Sequence, residues 1–473
     1  MPYLRCYNKI GTLVEIATDA DHVSLPNEVV SIVIENGGEE NMHGIQIHYE
    51  ALSRLLLSQP RKLDKITIRE RAILPPANLV FLAATFNKTN CLMLQQCLCH
   101  PAEIGCLVAG LTQADGPREL HLNLLLDDIP NHLFLMVLQA ISFSPSLEKL
   151  DLIANNDMTE DNLAAGLIGA ITTNRSLNAL ILGLRWGHPS QQIMQHVFRA
   201  AARTGRVKNL SIWYASVFGP RQSLDHEAFM EALCHQECKI EMLRLMYIDL
   251  VREPNSLQMP HDSNATTNNT SLKDISIVSG RLDCSQASAI VRRFSSLRSV
   301  ELRRNDLQTI SMFNDLLVQN QLQSLVLENS QVNEADVKSF LMKLPATRSL
   351  RNLHLLGNNF PTSKSCVELL ENCITRNTSL ERMTKCEVRD CDEDWKEYYK
   401  RSFSVPLSLN RAGRRHLQND AGAELPANLW PLILQRAGKI SYYGAFDQWQ
   451  RPTMTSTRAD AVYWLLTERI LMS

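Results

Sequence analysis

Residues 147–152 read LEKLDL, residues 177–182 LNALIL, residues 207–212 VKNLSI and residues 240–245 IEMLRL. Apolar side chains recur at the first, fourth and sixth places of each copy. The alternation at places four to six is the pattern of a short strand with one buried face. The pattern continues as Leu272-Ile275-Ile277, Leu297-Val300-Leu302, Leu322-Leu325-Leu327 and Leu350-Leu353-Leu355, and begins upstream at Leu63-Ile66-Ile68. Weaker copies are Thr89-Leu92-Leu94, Pro117-Leu120-Leu122 and Leu380-Met383-Lys385. The fourth-place residues from Ile66 to Met383 make eleven steps over 317 residues, each of 25 to 33, with a mean near 29. Self-similarity at that period means a solenoid of stacked units.

Between the strands the spacing turns helical. Leu163, Leu167, Ala170 and Ile171 share one helical face, as do Ile193, Val197 and Ala201. One strand and one helix cannot bury enough apolar surface to fold alone, so neighbouring copies must complete the core. The expected fold class is α/β, a horseshoe with parallel strands on the concave face and helices on the convex face. A chain of 473 residues would otherwise suggest about three ordinary domains.

Units of this length and composition resemble the ribonuclease-inhibitor-like subclass of leucine-rich repeats, over roughly residues 60–390. The family motif ends in an Asn or Cys that bonds backbone groups in the turn. Asn155, Asn305, Asn358 and Cys97 fill that place, while other copies hold Arg185, Ala215, Ile248, Gly280 or Ser330. The departures imply irregular turns on an intact architecture.

Three segments are expected. Residues 1–60 lack the motif, but VVSIVIENG reads as a strand and Tyr49 to Leu57 as a helix, which suits an N-terminal cap. Residues 61–388 hold the solenoid of about 12 irregular repeats. Within it, the polar, Pro-broken run from Arg252 to Ser271 is expected to be an exposed loop replacing a helix. Residues 389–473 form an acidic hinge followed by a small helical C-terminal module. This tail resembles a module that follows leucine-rich or ankyrin repeats in diatom and related algal proteins. The matching residues are Leu409-Asn410-Arg411-Ala412-Gly413-Arg414-Arg415, Leu429-Trp430-Pro431, Arg436-Ala437, and Asp460 with Tyr463, Leu465 and Leu466. That resemblance assigns no chemistry.

Composition narrows the function classes. Lys plus Arg total 48 and Asp plus Glu 50, a net charge of −2, so neither a nucleic-acid nor a membrane-surface partner is expected. The N-terminal MPYLRCYNKI lacks a basic stretch followed by an apolar core, and Leu133 to Phe143 is too short to span a bilayer. The twelve cysteines are therefore expected to be reduced and the compartment cytoplasmic, with the nucleus as alternative.

A search for chemistry finds no phosphate-binding loop, dinucleotide fingerprint, H-E-x-x-H or G-x-S-x-G. No enzyme and no cofactor are expected. The best metal candidate, Cys91, Cys97, Cys99, His100 and Cys106, lacks paired C-x-x-C knuckles, and buried free thiols account for it better. The same holds for Cys234-His235 with Cys238. Arg411, Arg414 and Arg415 read as a solvated face.

The surface that remains is built from places three, five and seven, which project away from the core. Place seven runs through Ile153, Gly183, Trp213, Met246 and Val278, then turns charged at Arg303 and Glu328. Ile181, Arg244 and Glu301 at place five and Met242 at place three extend it. An apolar centre with a charged rim suits a protein partner. The expected function is a non-catalytic protein–protein interaction scaffold. The resemblance implies an alternative, a regulator of a small GTPase, since ribonuclease-inhibitor-like solenoids include activators of Ran-type GTPases. A substrate adaptor of a ubiquitin ligase, recruited through the C-terminal helices, is a further alternative.

Overall fold

The computed structural model describes short strands within residues 2–46 and then residues 49–69, 78–95, 101–124, 129–154, 161–184, 191–214, 222–251, 271–355, 358 and 364–383, with Leu407 and Asn410. The chain divides into two compact units, Met1–Ser271 and Leu272–Ser473.

The first unit opens with β1 (Pro2–Tyr7), β2 (Leu13–Val14), β3 (Thr18–Asp19), β4 (His22–Val23), β5 (Ser31–Asn36), β6 (Ile45–Gln46) and α1 (Tyr49–Ser58). Strand and helix then alternate through β7 (Leu63–Arg69), α2 (Asn78–Lys88), β8 (Thr89–Gln95), α3 (Pro101–Leu111), β9 (Glu119–Leu124), α4 (Asn131–Phe143), β10 (Lys149–Ala154) and α5 (Asp161–Thr173). They continue as β11 (Ala179–Leu184), α6 (Gln191–Arg203), β12 (Asn209–Tyr214), β13 (Gln222–Asp225), α7 (His226–Cys234), β14 (Met242–Met246) and β15 (Ile248–Val251). The main strands run in the order β2-β1-β5-β7-β8-β9-β10-β11-β12-β14. All pairs from β5 onward are parallel. The expected strand at VVSIVIENG and helix from Tyr49 are present as β5 and α1, and β5 pairs in parallel with β7. The antiparallel partner β1 has no counterpart in the sequence reading. Nor has the parallel pair β13–β15.

The second unit alternates β16 (Asp274–Val278), α8 (Cys284–Arg293), β17 (Ser299–Arg303), α9 (Asn314–Val318), β18 (Ser324–Val326), α10 (Glu334–Leu341), β19 (Asn352–His354), α11 (Lys364–Arg376) and β20 (Arg382–Met383). Its strands pair in parallel and in sequence order. Each unit is thus a stretch of leucine-rich-repeat solenoid, with strands in one layer and helices in another.

The periodicity fixes the register. Leu150, Leu180 and Leu210 stand opposite one another on neighbouring strands, as do Leu152, Leu182 and Ile212, and all are buried. The helices fill the other side of this core. Leu163, Leu167, Ala170 and Ile171 of α5 are buried, and the apolar stretch at Leu133 lies in α4 with Phe134, Val137, Leu138 and Ile141 buried. Val197 and Ala201 of α6 are buried, but Ile193 is only half-buried, and Met194 takes the core place beside them. Among the described residues no helix is long and apolar enough to cross a membrane.

Buried asparagines tie three of the repeats to the one before. Asn174 donates from Nδ2 to the Ile141 and Ser144 carbonyls at 2.6 and 3.1 Å, and its Oδ1 accepts from the Ser176 and Leu177 amides. Asn377 does the same with the Leu344 and Thr347 carbonyls and the Ser379 and Leu380 amides. Asn410 donates to the Asn377 and Leu380 carbonyls at 2.9 and 2.7 Å and is fully buried. In all three cases the acceptors lie 33 and 30 residues back. A residue that the sequence places in the C-terminal module therefore closes the carbonyls of one repeat as Asn377 closes those of the repeat before.

The motif-ending asparagines act on the turn after the strand. Asn305 donates to the Ile277 carbonyl and accepts from Gly280 and Leu282, and Asn358 takes the same role toward Leu327, Ser330 and Val332. Ser330, one of the departures, still bonds the Leu302 carbonyl through its hydroxyl at 2.6 Å. Asn155, Cys97, Arg185, Ala215, the 252–270 run and the tail elements around Trp430 and Tyr463 lie outside the described residues.

Candidate functional site

Places three, five and seven of the strands form the sheet face opposite the helices. In the first unit, place seven reads Arg69, Gln95, Asn123, Ile153, Gly183, Trp213 and Met246 along the ladder. Place five reads Thr67, Met93, His121, Asp151, Ile181, Ser211 and Arg244. Ile153, Ile181, Trp213 and Met246 are half-buried, Arg244 is exposed, and Met242 at place three leaves 48% of its surface in water. These six expected partner-binding residues share one face of one sheet.

Trp213 is held by its neighbour. A Cβ added to Gly183 would lie 2.4 Å from both Cε2 and Cζ2 of the indole and 2.8 Å from Nε1. The ring therefore lies over the glycine of the preceding strand, in space that any side chain would fill. Gly183 reads in the sequence as a gap in the apolar row, whereas it is the floor under Trp213.

The flank upstream is polar. His121 Nδ1 stands 3.0 Å from Asp151 Oδ2, and its Nε2 lies 3.7 Å from Glu119 Oε2. Lys149 Nζ donates to the same Glu119 oxygen at 2.9 Å. The hydrogen bond to Asp151, followed by one to Cys91, pushes the His121 imidazole up to about 9 against the opposing effect of burial. Burial and the bonds from Lys149 and His121 act on Glu119 in opposite senses, and its carboxyl is held below its ordinary value. The donor atoms of Cys91, Glu119 and His121 all lie within 4.8 Å of one another.

In the second unit the expected residues are largely engaged with one another. Arg303 Nη1 donates to Glu328 Oε2 at 3.0 Å and the same guanidinium pairs with Glu301, which also accepts from Ser276 at 2.7 Å. Val278 stands beside Arg303 in register and is half-buried. His354 occupies place five of β19, beside Val326 in register; burial, with Arg303 and Arg382 nearby, holds its imidazole below the ordinary value against Glu328 and Glu301. A partner here would meet a pre-paired charge ladder.

Of the cysteine cluster read in the sequence, the described members Cys91 and Cys106 stand on different elements. Cys91 is on β8 facing the open side, whereas Cys106 is in α3 with Sγ 3.8 Å from the Leu79 carbonyl, and burial pushes its thiol up. Cys97, Cys99 and His100 lie outside the described residues. Cys91, Cys106, Cys234, Cys238, Cys284 and Cys373 are free thiols. Sequence reasoning missed the grouping of Cys91 with Glu119 and His121. The available signal was motif place: three, three and five in consecutive copies.

No protein-family model and no curated protein sequence matches this chain. Among solved structures it is similar to a chain of the Rad7–Elc1 complex of yeast, at 12% sequence identity and a TM-score of 0.40, covering 73% of this chain and 75% of that one.

Proposed function

We propose that this protein is a non-catalytic interaction scaffold, a leucine-rich-repeat solenoid of the ribonuclease-inhibitor-like subclass. It would hold a protein partner on the open sheet face of its first unit. The observation that carries this reading is the Trp213 indole laid over Gly183, with Met246 beside it in register and Met242 exposed on the same strand. Large amphipathic side chains held in place bind at low entropic cost, and tryptophan is the residue most enriched among those that dominate binding energy. The cytoplasm is the compartment we propose.

The test is quantitative capture of cellular proteins on the native chain, on Trp213→Ala and on Gly183→Ala. A specific partner should lose roughly 2 kcal/mol or more of affinity with Trp213→Ala while thermal unfolding stays near wild type. Gly183→Ala should weaken the same partner by displacing the ring, at a stability cost of about 1–3 kcal/mol. Gly183→Ala made in the Trp213→Ala background should add little further loss, because the clash has gone. Retention of the partner by both variants would place the interface elsewhere. A captured GTPase or ligase subunit would move the reading to the corresponding alternative.

A further inference from the structure

We propose that Cys91, Glu119 and His121 form a binding site for a divalent ion of the zinc class on the open sheet face of the first unit. The three residues come from two adjacent parallel strands, with Cys91 opposite Glu119 in register and His121 two residues further on the same side. Their ligand atoms already lie within 4.8 Å of one another. Tetrahedral coordination brings such donors to roughly 3.5 Å apart, so side-chain rotation of about 1 Å closes the site.

The donor chemistry selects the ion. A thiolate, an imidazole and a carboxylate together favour zinc or cobalt over magnesium or calcium, which take oxygen ligands. The support behind the ligands is also present. Asp151 accepts from His121 Nδ1 at 3.0 Å, which leaves Nε2 as the coordinating nitrogen and fixes the ring plane. This carboxylate–imidazole pair is the arrangement that orients histidine toward zinc. Three protein ligands leave a fourth position for water, and Lys149 pairs with the Glu119 oxygen that faces His121. The ion competes with Lys149 for that carboxylate, and it displaces the protons of the thiol and of Nε2 on entry.

The experiment is a titration of the full-length, metal-free chain with cobalt(II), followed by displacement with zinc(II). Wild type should take up a single cobalt ion with thiolate-to-metal charge-transfer absorption and the visible bands of tetrahedral cobalt, both lost as zinc is added. Cys91→Ser should abolish the charge-transfer band, and His121→Gln and Asp151→Asn should weaken binding by about 10–100-fold. Lys149→Met should bind more tightly, an outcome that no unfolded variant can mimic. Circular dichroism of each variant checks that the fold persists. A charge-transfer band that survives Cys91→Ser would assign the cobalt to another of the twelve cysteines and overturn the proposal. So would the absence of any saturable band in the folded wild type.

Discussion

Asn377 makes four hydrogen bonds to main-chain groups and has no exposed surface. Replacing it with alanine leaves two carbonyls and two amides to find water in a closed turn. Each unsatisfied buried group costs about 1–3 kcal/mol, so Asn377→Ala should lower stability by roughly 3 kcal/mol or more. Asn377→Asp keeps the acceptor but turns a carboxylate oxygen toward the Leu344 and Thr347 carbonyls in a closed site, and should destabilise at least as much as alanine. Urea unfolding of the three chains checks the order, and equal midpoints would refute the assigned role. This asparagine was invisible to pattern reading because it stands three places before the first leucine of its motif, outside the apolar period. Asn305 and Asn358 were legible because the family motif names their place. Trp213 was legible as a surface residue from strand alternation, but Gly183 was not, because a glycine carries no signal of what lies above it.

Strands and helices were read best where apolar spacing decides them. The ladder from β7 to β14 follows the sequence register, because a shift by one residue would turn Leu210 and Ile212 out and Trp213 in. β1 escaped notice since pairing with β5, not a motif, makes it a strand. The cluster at Cys91 escaped for a related reason: its members are 28 and 30 residues apart in the chain and become neighbours only across a sheet. In the second unit the strand row at place five carries an acid-sensitive group, His354. Burial, reinforced by the arginines beside it, lowers its proton affinity in the fold, so the unfolded chain takes up the proton first. The neutral ring's contribution is complete above the ordinary histidine value and is lost as pH falls below it and through the folded-state value. Melting temperatures taken at about pH 7.5 and about pH 5.5 should therefore fall on acidification, and His354→Gln should reduce that fall. An unchanged difference in the variant would remove His354 as its source.

At the scale of the molecule, repeat arrays have stability that is a sum of units and nearest-neighbour contacts. Asn410 extends that sum past the last recognisable motif copy, since it closes the carbonyls of Asn377 and Leu380. Asn410→Ala in the full chain should leave the first unit untouched. Amide exchange at Leu380 to Met383 should quicken, while the strands of the first unit keep their rates. A uniform change along the chain would mean that the array unfolds as one block, and no change would mean that the Asn410 contact carries no stability.

The same 33-residue reach gives the chain a direction in time. Synthesis runs from the N-terminus, yet the side chain that completes Ile141 and Ser144 is Asn174, and the one that completes Leu344 and Thr347 is Asn377. During translation the repeats that hold Ile141 and Leu344 therefore remain open until about one further repeat has left the ribosome. Proteolysis of nascent chains stalled before and after Asn174, or before and after Asn377, should show the preceding repeat becoming protected in one step.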